Sequence, residues 1–529
     1  MKRKKIIIFV IFSILVILFS GVYVAAIPIP RGFYYRLTPS EKRLIRNNIF
    51  PENYSNQLEN VSPIPQHPFM ALNGQNNMHC DGYMSDITSW SGPLGVDPYV
   101  QSSFRGIAEC VTVCFTSDGQ MVTGCTSLSC PRLISLDPVS LKEIARYNLP
   151  GRPRFSFLDP IGLLEDTSGG AYFYLDSLNR VVVATHEQSI EIVQVLEDGQ
   201  GFELLERYDL SDYVVPLDFP ERDKVGSVLP DWQGNLWFVT RYGTVGVVNA
   251  ISKSIKTIEL FSPESNIREE IQNSFTVGED GIYIVSDHAM YRFNLDENDD
   301  PVISWRAMYD RGTRRKPGML NQGSGTTPTL IGDLVVIGDN ADPRTNILFY
   351  HRIDGKLACS IPIFEEDKSC VENAPIGIAF ENGTRSVIVI NSYGHKNFLS
   401  TTLGRVTEKG IVRIDVKPDG VGGYGCQEVW SSEEYPCSAL PKLSVGNGMM
   451  YIYTKTPAFL WPNPWYFTTI DFRTGKTVYK ILAGSGFGFN NNWGPISIGP
   501  DGTAYVGMLF GIISIRDVIK SVPSVGSNI

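Results

Sequence analysis

The sequence contains few charged residues and no excess of positive charge. Charged residues are 19% of the 529 residues, the formal net charge is −10 and the sequence pI is about 5.3. A nucleic-acid-binding domain normally carries a basic face or stripe, and the dense basic runs of this chain are short, at 2–5 and 311–316. We assign the first run to targeting and the second to a solvated loop. Nucleic acid is therefore not an expected partner.

Long helical patterns are scarce, and only one apolar run is as long as a membrane span. Glycine (49 residues) and proline (33 residues) are spread along the chain, which is typical of many short turns and favours an all-β fold. The apolar run covers residues 6–26, and about twenty such residues are enough for one spanning helix. The lack of a second run of this length excludes a polytopic channel or transporter.

The apolar run follows a basic cluster, as in signal anchors and signal peptides. Residues 1–5 form the basic n-region, which we expect to stay in the cytoplasm, and residues 6–26 form a transmembrane signal-anchor. The alternative is a cleaved signal peptide, because Val24 and Ala26 fit the residues before a cleavage site. We favour the anchor because the run is longer than a usual h-region. The body is then an extracytoplasmic domain of a single-pass membrane protein or, after cleavage, a secreted protein.

The cysteines lack the spacing of a zinc site. None of the nine forms a close Cys-x-x-Cys pair or lies beside histidine in a ligand pattern, whereas disulfides agree with export. The candidates form local groups: Cys114 and Cys125 around a turn signal, Cys110 and Cys130 outside that pair, Cys359 with Cys370, and Cys426 with Cys437. Cys80 is left over, and the connectivity does not follow from the sequence.

A turn signal recurs at intervals typical of propeller blades, roughly fifty to sixty-five residues. Glycine, asparagine and aspartate at these points tolerate the positive φ of hairpin turns. The signals lie at 118–119, 168–170, 233–235, 280–281, 332–333, 382–383, 446–448 and 501–502. Most are followed by short apolar runs such as Leu236–Thr240, which suit buried second strands. We therefore predict an all-β β-propeller of eight four-stranded blades, preceded by the N-terminal transmembrane anchor.

The predicted propeller covers residues 93–529, and residues 27–92 form an irregular stalk that leads into it. The last repeat is short, with a third strand at 511–516 before the chain ends. We expect a strand from the N-terminal side, at 69–73 or 99–104, to complete that blade. Such closure removes the exposed sheet edges that invite aggregation.

The segment Thr469–Lys480 carries a resemblance to a known superfamily. It resembles the repeat of quinoprotein-like (PQQ-repeat) β-propellers, in which Ala-x-Asp-x-x-Thr-Gly-Lys-x-x-Trp joins the third and fourth strands. Asp471, Thr474 and Gly475 match, and Tyr479 takes the Trp position. The resemblance implies the propeller fold, in a superfamily that includes quinone-dependent dehydrogenases and non-enzymatic scaffolds. This chain lacks the vicinal cysteines of the dehydrogenases, so PQQ is not an expected cofactor.

In a propeller, the loops after the second strands gather on one face around the central channel. Here they contain carboxylates, amides, histidines and cations. Calcium prefers carboxylate and amide oxygens as ligands. We therefore predict a calcium ion bound by Asp339, Asn340 and Asp342. The candidate residues for an organic ligand are Arg241, Tyr242, Asn391, Tyr393, Lys455 and Asn491. The alternative is that these polar loops only cap hairpins in water.

Three further segments are rich in polar groups: 76–86, 323–328 and 490–493. The first lies just before the blades, and we expect it to line the channel mouth. A His–Asp pair can serve as base and orienter, while the Gly-x-Ser-x-Gly elbow of a serine nucleophile is missing. The catalytic candidates are His79, Asp81, Asp86, Asp287, His288 and His395. An ordinary solvated loop is the alternative for each segment.

Two classes of function follow from this pattern. The first is a membrane-anchored extracytoplasmic propeller that binds a protein or a small ligand on its loop face. The alternative is an enzyme of quinoprotein-like fold with a site in the central channel: a metal-dependent hydrolase or lyase, or an atypical dehydrogenase. An enzyme concentrates ionisable groups of shifted pKa in one channel, whereas a scaffold exposes a broad apolar patch.

Overall fold

The computed structural model describes residues 10–15, 57–106, 108–127, 131–151, 169–214, 223–395, 401, 405–420, 422–457 and 464–517. The strands of these residues form eight sheets, each an antiparallel run of four strands, and one sheet adds a short fifth strand. The first strands of neighbouring blades contact one another around the ring. They are therefore the innermost strands and surround a central channel. The predicted all-β propeller of eight four-stranded blades is confirmed.

The strands follow chain order, with two preceding the blades. These two are β1 (Ile87–Thr88) and β2 (Pro98–Phe104). Blade 1 contains β3 (Ala108–Phe115), β4 (Met121–Ser127), β5 (Arg132–Leu136) and β6 (Glu143–Asn148), and blade 2 contains β7 (Phe173–Leu175), β8 (Arg180–Ala184), β9 (Ser189–Val195) and β10 (Phe202–Asp209). Blade 3 contains β11 (Val225–Pro230), β12 (Leu236–Thr240), β13 (Thr244–Val248) and β14 (Ile255–Glu259), and blade 4 contains β15 (Thr276–Gly278), β16 (Gly281–Val285), β17 (Ala289–Leu295) and β18 (Pro301–Met308).

Blades 5 to 8 continue the same pattern. Blade 5 contains β19 (Thr329–Ile331), β20 (Leu334–Gly338), β21 (Asn346–His351) and β22 (Leu357–Pro362), and blade 6 contains β23 (Ile376–Ala379), β24 (Arg385–Ile390), β25 (Ile411–Pro418) and β26 (Tyr424–Ser432). Blade 7 contains β27 (Lys442–Ser444), β28 (Met449–Lys455), β29 (Pro464–Asp471) and β30 (Thr477–Ser485), and blade 8 contains β31 (Ile496–Ile498), β32 (Ala504–Met508) and β33 (Gly511–Asp517). Short 3-10 turns lie at Glu197–Gly199 and Phe487–Phe489.

Blade 8 is closed by a strand from the N-terminal side. β2 pairs antiparallel with β33, from Pro98 opposite Asp517 to Phe104 opposite Gly511. The expectation of a closing strand at 99–104 is confirmed. The alternative at 69–73 is wrong, because Met70 forms only an isolated bridge with Asp176 of blade 2. Closure covers the edge of β33, which would otherwise be exposed.

Most predicted turn signals join the first and second strands of a blade. The exception is 168–170, because Gly169 and Gly170 lie before β7. The first turn of blade 2 is made instead by Asp176, which accepts from the backbone N–H of Arg180 at 2.8 Å, and by Asn179 at φ 60°. A Cβ on Gly124 would lie 2.5 Å from the Gly170 carbonyl. Because Gly124 has no side chain, blades 1 and 2 can approach each other closely at Gly169 and Gly170.

The repeat segment Thr469–Lys480 forms the junction between β29 and β30, as the resemblance implies. Asp471 accepts from the Thr474 backbone N–H at 2.7 Å and from its hydroxyl at 2.8 Å. Gly475 has φ 68°, and a Cβ there would meet the Trp430 ring of blade 6. The motif therefore shapes the turn and also packs it against the neighbouring blade.

The described residues contain two disulfides, and each joins cysteines from two different predicted pairs. Cys110 and Cys125 are opposite each other on β3 and β4 and are bonded, whereas Cys114 lies opposite Val122. Cys359 and Cys426 are bonded between the outer strands of blades 5 and 6. Cys114, Cys370 and Cys437 are free and buried, as is Cys80, and Cys130 lies outside the described residues. The groupings of Cys114 with Cys125, Cys359 with Cys370 and Cys426 with Cys437 were wrong because strand register decides which side chains meet.

Residues 74–88, here called the plug, lie across the central channel. Each innermost strand has an edge that faces the channel, and five of these edges donate a backbone N–H to a plug carbonyl at 2.7–3.0 Å. The five bonds run from Leu175 to Asn76, Val277 to Gly82, Leu330 to Tyr83, Gly377 to Ser85, and Leu443 to Asp86. In addition, β1 pairs in parallel with β27. The plug is thus held by blades 2, 4, 5, 6 and 7.

The antiparallel topology gives the propeller two distinct faces. Within the blades, the turns between first and second strands and between third and fourth strands lie on one face, whereas the turns between second and third strands and the connections to the next blade lie on the opposite face. The chain approaches the plug on the face that carries the first-to-second turns. Beside these turns, the backbone N–H groups of Leu58 and Ser62 donate to the carbonyls of Val445 and Ala379. We call this the N-terminal face and its opposite the mouth face.

The predicted N-terminal anchor falls largely outside the described residues. Residues 10–15 form a short helix, and the remainder of 6–26 is not described, nor are residues 1–5 and 27–56. Within the described part of the chain, no helix has both the length and the apolar character needed to cross a membrane.

A buried ion pair ties the plug to blade 7. Lys442 donates from Nζ to the Asp86 carboxylate and, at 2.5 Å, to the Met78 carbonyl. Asp86 is 0% exposed and Lys442 is 1% exposed. A buried charge is tolerated only when it is paired and hydrogen-bonded. The position of the plug therefore depends on this pair.

We predict that Lys442→Met lowers the free energy of unfolding by about 3–5 kcal/mol, because it leaves the Asp86 carboxylate buried without its cation. Denaturant unfolding of the two proteins measures the difference. The matched control is Lys356→Met, which removes an ion pair with Asp354 from a side chain that is 79% exposed, and should change nothing measurable. Equal effects of the two substitutions would contradict the role of the pair.

Candidate functional site

A polar cavity lies in the central channel, with the plug at one end. Its volume is about 40 Å³, and one water needs roughly 10–15 Å³ by the same kind of measure. The cavity therefore holds a few waters or the polar end of a small ligand. It is lined by Met78, His79, Tyr172, Gln272, Asn273, Leu320, Thr327, Glu372, Asn373, Ala374, Leu440 and Trp493.

The connections between blades position most of these side chains. Each connection crosses the mouth face from an outer strand to the next innermost strand, so the residues just before an innermost strand reach the channel. Gln272 and Asn273 precede β15, which begins at Thr276, at the same offset at which Glu372 and Asn373 precede β23, which begins at Ile376. A polar pair repeated at one offset is thus the sequence signal for the cavity wall.

Glu372 is the buried carboxyl group of the cavity. Its Oε1 accepts from the Leu320 backbone N–H at 3.0 Å and from the Gln272 amide. Burial raises the pKa of Glu372 to about 8, against the smaller opposing effect of the Arg241 and Arg315 charges. A Cβ on Gly325 would collide with Oε2, so glycine at that position is what makes room for the carboxyl group.

His79 forms part of the cavity floor and is held by Asp86. Its Nδ1 lies 3.1 Å from each Asp86 carboxylate oxygen, and the ring is 2% exposed. Because a carboxylate only accepts hydrogen bonds, Nδ1 donates to Asp86, and in the neutral form of the ring Nε2 is then the nitrogen with the lone pair. Nε2 is buried and has no hydrogen-bond partner among the described residues.

Several other buried atoms of the cavity residues also have no partner among the described residues. They are Glu372 Oε2, Gln272 Oε1 and Asn373 Oδ1. The amide oxygens and the His79 nitrogen are hydrogen-bond acceptors. A buried polar group without a partner costs about 1–3 kcal/mol, so a ligand that supplies N–H or O–H donors would recover that cost. The arrangement can therefore bind a molecule that carries hydrogen-bond donors.

The three polar segments singled out in the sequence meet at this cavity. His79 comes from 76–86, Thr327 from 323–328 and Trp493 from 490–493. Segment 76–86 lies at the closed end of the cavity rather than at its mouth, because the plug bonds to the strand edges inside the channel. Asp81 is also in the plug, where it accepts from the Tyr83 backbone N–H at 2.9 Å. Burial raises the pKa of Asp81 to about 7.

The side chains of the predicted calcium residues each have hydrogen-bond partners within the protein. The Asp339 carboxylate accepts from the backbone and side chain of Asn346 at 2.6 and 2.7 Å, and burial raises its pKa to about 6. Asp342 accepts from Thr313, and Asn340 donates to backbone carbonyls. In the described ranges, no three carboxylate, imidazole or thiol groups gather as a metal site requires. The geometry does not favour calcium at Asp339, Asn340 and Asp342.

The loops after the second strands lie on the mouth face but outside the cavity lining. Asp287 and His288 are engaged with Arg311, whose guanidinium lies 2.8 Å from Asp287 Oδ2 and 2.8 Å from His288 Nε2. Since His288 Nδ1 lies 2.8 Å from Asp287 Oδ1, both ring nitrogens are occupied. Arg241 pairs with Glu270 at 3.0 Å. These contacts brace the loops against one another.

The remaining predicted residues also have local partners, which join the loops of the mouth face. The backbone N–H groups of Tyr242 and Tyr393 donate to the side chains of Asp223 and Asn391. The side-chain amides of Asn391 and Asn491 donate to the carbonyls of Lys368 and Gly507. The Lys455 ammonium lies over the Trp465 ring. His395 packs at 4.9 Å, between ring centroids, against the cavity residue Trp493. Burial lowers the pKa of Lys455 to about 8 and that of His395 to about 4.

Comparisons with known proteins identify no family. No family model matches the chain. An uncharacterized protein of Archaeoglobus fulgidus is 27% identical over 323 residues, which cover 55% of this chain. The match spans about 60% of the length of that relative.

Solved structures share the propeller fold at low sequence identity. A europium-containing methanol dehydrogenase is 10% identical, with a TM-score of 0.49 over 82% of this chain and 89% of its own. BamB from Moraxella catarrhalis is 10% identical, with a TM-score of 0.33 over 81% and 96%. A catalytically inactive virginiamycin B lyase from Staphylococcus aureus is 12% identical, with a TM-score of 0.38 over 80% and 100%. The likeness concerns the fold alone, and no specific family is assigned.

The raised pKa of Glu372 predicts a pH dependence of stability. Between the ordinary value of 4.5 and about 8, the folded protein keeps a proton that the unfolded chain loses. The free energy of unfolding therefore falls as pH rises through this window, by at most about 1.4 kcal/mol per pH unit for one group. Glu372→Gln is expected to make the decline shallower in denaturant titrations across the window. Glu433→Gln, at a side chain that is 82% exposed, is the control and should leave the slope unchanged. Parallel curves for parent and Glu372→Gln would count against the buried neutral carboxyl.

Proposed function

We propose that this propeller binds a small polar ligand in the central channel, and that the N-terminal segment holds it at a membrane outside the cytoplasm. The observation that supports the binding site is the set of buried acceptors without described partners around one cavity: Glu372 Oε2, Gln272 Oε1, Asn373 Oδ1 and His79 Nε2. Native proteins satisfy nearly all buried polar groups. Buried atoms without a described partner occur elsewhere in the chain too, and it is the grouping of four of them around one cavity that favours a ligand over a purely structural role.

The chemistry of the cavity defines the class of ligand. The amide oxygens and the imidazole nitrogen favour hydroxyl or ammonium donors, and the neutral Glu372 carboxyl can either donate or accept. The small volume of about 40 Å³ admits only one end of an organic molecule. A small amine or polyol therefore fits better than a protein segment, and the rest of the molecule would extend towards the mouth face.

The N-terminal sequence supports the membrane attachment and the compartment. A basic cluster at 1–5 followed by an apolar run at 6–26 is the order of a signal-anchor. The disulfides Cys110–Cys125 and Cys359–Cys426 agree with an oxidising compartment. Secretion after cleavage is the alternative, and N-terminal sequencing of the mature protein distinguishes the two.

We predict that Ala374→Leu abolishes ligand binding, because the larger side chain fills the cavity. The readout is the thermal shift of the protein with small amines and polyols, ethanolamine and glycerol first, since a ligand at 100 times its Kd stabilises by about 2.7 kcal/mol. Ala250→Leu is the matched control, because Ala250 lines grooves on the N-terminal face. No shift in the parent with any donor-bearing compound, or equal shifts in both variants, would contradict the channel site.

One observation favours an enzyme as a second candidate. In the His79–Asp86 pair the carboxylate orients the ring and leaves Nε2 as the acceptor at the cavity, which is the arrangement of a general base. A proton would pass from a hydroxyl or ammonium group of the ligand to Nε2, while the other ring proton stays on Nδ1 in its hydrogen bond to the Asp86 carboxylate.

The enzyme candidate predicts that His79→Gln separates binding from turnover. The glutamine amide can still accept a hydrogen bond, so the variant should keep the thermal shift with the compound that stabilises the parent. It should lose the conversion of that compound, followed by mass spectrometry over time. Parent protein that leaves the compound unchanged supports the binding function alone, and unchanged turnover by the variant rules out His79 as the base.

A further inference from the structure

The turns between third and fourth strands carry exposed apolar tips on the N-terminal face. Ile251 of blade 3 is 93% exposed and Ile353 of blade 5 is 79% exposed, the highest values of any large apolar side chain in the described chain. Val139 occupies the corresponding turn of blade 1 and is 51% exposed. None of the three side chains belongs to a hydrophobic core cluster of the described residues.

Turn formation does not require an apolar residue at these tips. In blade 3 the Asn249 side chain accepts the backbone N–H groups of Ile251 and Ser252, each at 2.9 Å, and this contact shapes the turn. In blade 7 the corresponding tip is Arg473, which donates to the Gln57 carbonyl at 2.8 Å. A polar residue is therefore compatible with the same turn. The isoleucines are best explained by what lies outside the propeller.

Exposed apolar residues are concentrated on this face. Besides the two isoleucines, Leu72, Val96 and Leu178 are 60%, 59% and 62% exposed on it. On the mouth face, the described residues of comparable exposure are Ile267 and Met308, at 60% and 61%. Single exposed apolar side chains are ordinary on protein surfaces, and it is their recurrence at the tips of one face that points to a contact surface.

The chain itself indicates which of these the surface contacts. The described part of the chain that leads into the plug starts at Gln57, and it lies on the N-terminal face, where Leu58 donates to the Val445 carbonyl at 2.9 Å. The apolar run 6–26 precedes this point in the sequence. We propose that the N-terminal face rests on the lipid surface that this run enters, with Ile251, Ile353 and Leu178 in the interfacial layer. The inference rests on the membrane attachment proposed above.

This orientation has a consequence for the channel site. With the N-terminal face on the membrane, the plug closes the channel on the membrane side and the mouth face points away from it. A water-soluble ligand then reaches the Glu372 cavity from the aqueous phase without crossing lipid.

The test uses the full chain reconstituted in vesicles of phosphatidylcholine with phosphatidylglycerol. Ile251→Cys, Ile353→Cys and Leu178→Cys are each labelled with an environment-sensitive NBD fluorophore, and Ile267→Cys and Met308→Cys are the controls of matched exposure on the mouth face. The free cysteines of the described chain are buried, and labelling of the parent measures the background. We expect a blue shift and quenching by nitroxide-labelled lipids at the three N-terminal-face positions, and water-like emission at the controls.

Flotation of the parent with the vesicles after a carbonate wash is measured in parallel. Protein that floats but shows water-like emission at all five positions overturns the proposed orientation and leaves the attachment intact. Protein that does not float overturns the attachment and, with it, the orientation. A blue shift that lipid quenchers do not affect assigns the face to a protein partner or a second copy, and overturns the lipid contact.

Discussion

The channel-facing edges of the innermost strands constrain the rest of this structure. Backbone N–H groups at such an edge need partners, because an unpaired buried donor is costly. Here the plug supplies carbonyls to five of the innermost strands. In a ring of eight blades, the inner edges are brought together only when the ring closes, so the plug and the pairing of β2 with β33 depend on the same event. Both come from the N-terminal side of the blades, which makes that segment part of the fold.

The plug also accounts for the chemistry at the centre. It carries Asp86 and His79 into a place where neither would otherwise be tolerated, and Lys442 of blade 7 compensates the charge. The same segment therefore closes the channel and presents an imidazole nitrogen to the cavity. Around that nitrogen, Glu372 and the amides are incompletely satisfied. Buried atoms without a described partner also occur elsewhere in the fold, and what distinguishes this place is that four of them surround one cavity.

The two faces differ in their chemistry in a way that supports a division of roles. The mouth face is braced by charged contacts such as Arg311 with Asp287 and Arg241 with Glu270, which order the loops around the cavity opening. The N-terminal face has charged contacts too, such as Arg352 with Asp280 and Arg385 with Asp333, and it also exposes Ile251 and Ile353. A β-meander separates these faces by construction, since successive turns alternate between the two ends of the strands. One face can therefore be occupied while the other stays accessible.

Sequence periodicity predicted eight repeats, most of the second strands and a closing strand from the N-terminal side, for which 69–73 and 99–104 were both candidates. The turn at Asp471 came from the superfamily resemblance. These features follow from local rules, because alternating apolar residues and positive-φ turn residues act within a few neighbours in the chain. The glycines at 169 and 170 misled the same reasoning, because glycine also marks close approach between blades.

Only the tertiary structure decided which cysteines bond and which polar residues share a cavity. Cys359 and Cys426 lie on different blades, and His79 meets Glu372 only where the plug crosses the ring. The segment containing His79 was recognisable as unusual, whereas Glu372 was not, although its offset before β23 matches that of Gln272 before β15. Contacts of this kind depend on register and ring closure, which no local pattern encodes. The sequence therefore determines the repeats, and the closed ring determines the site.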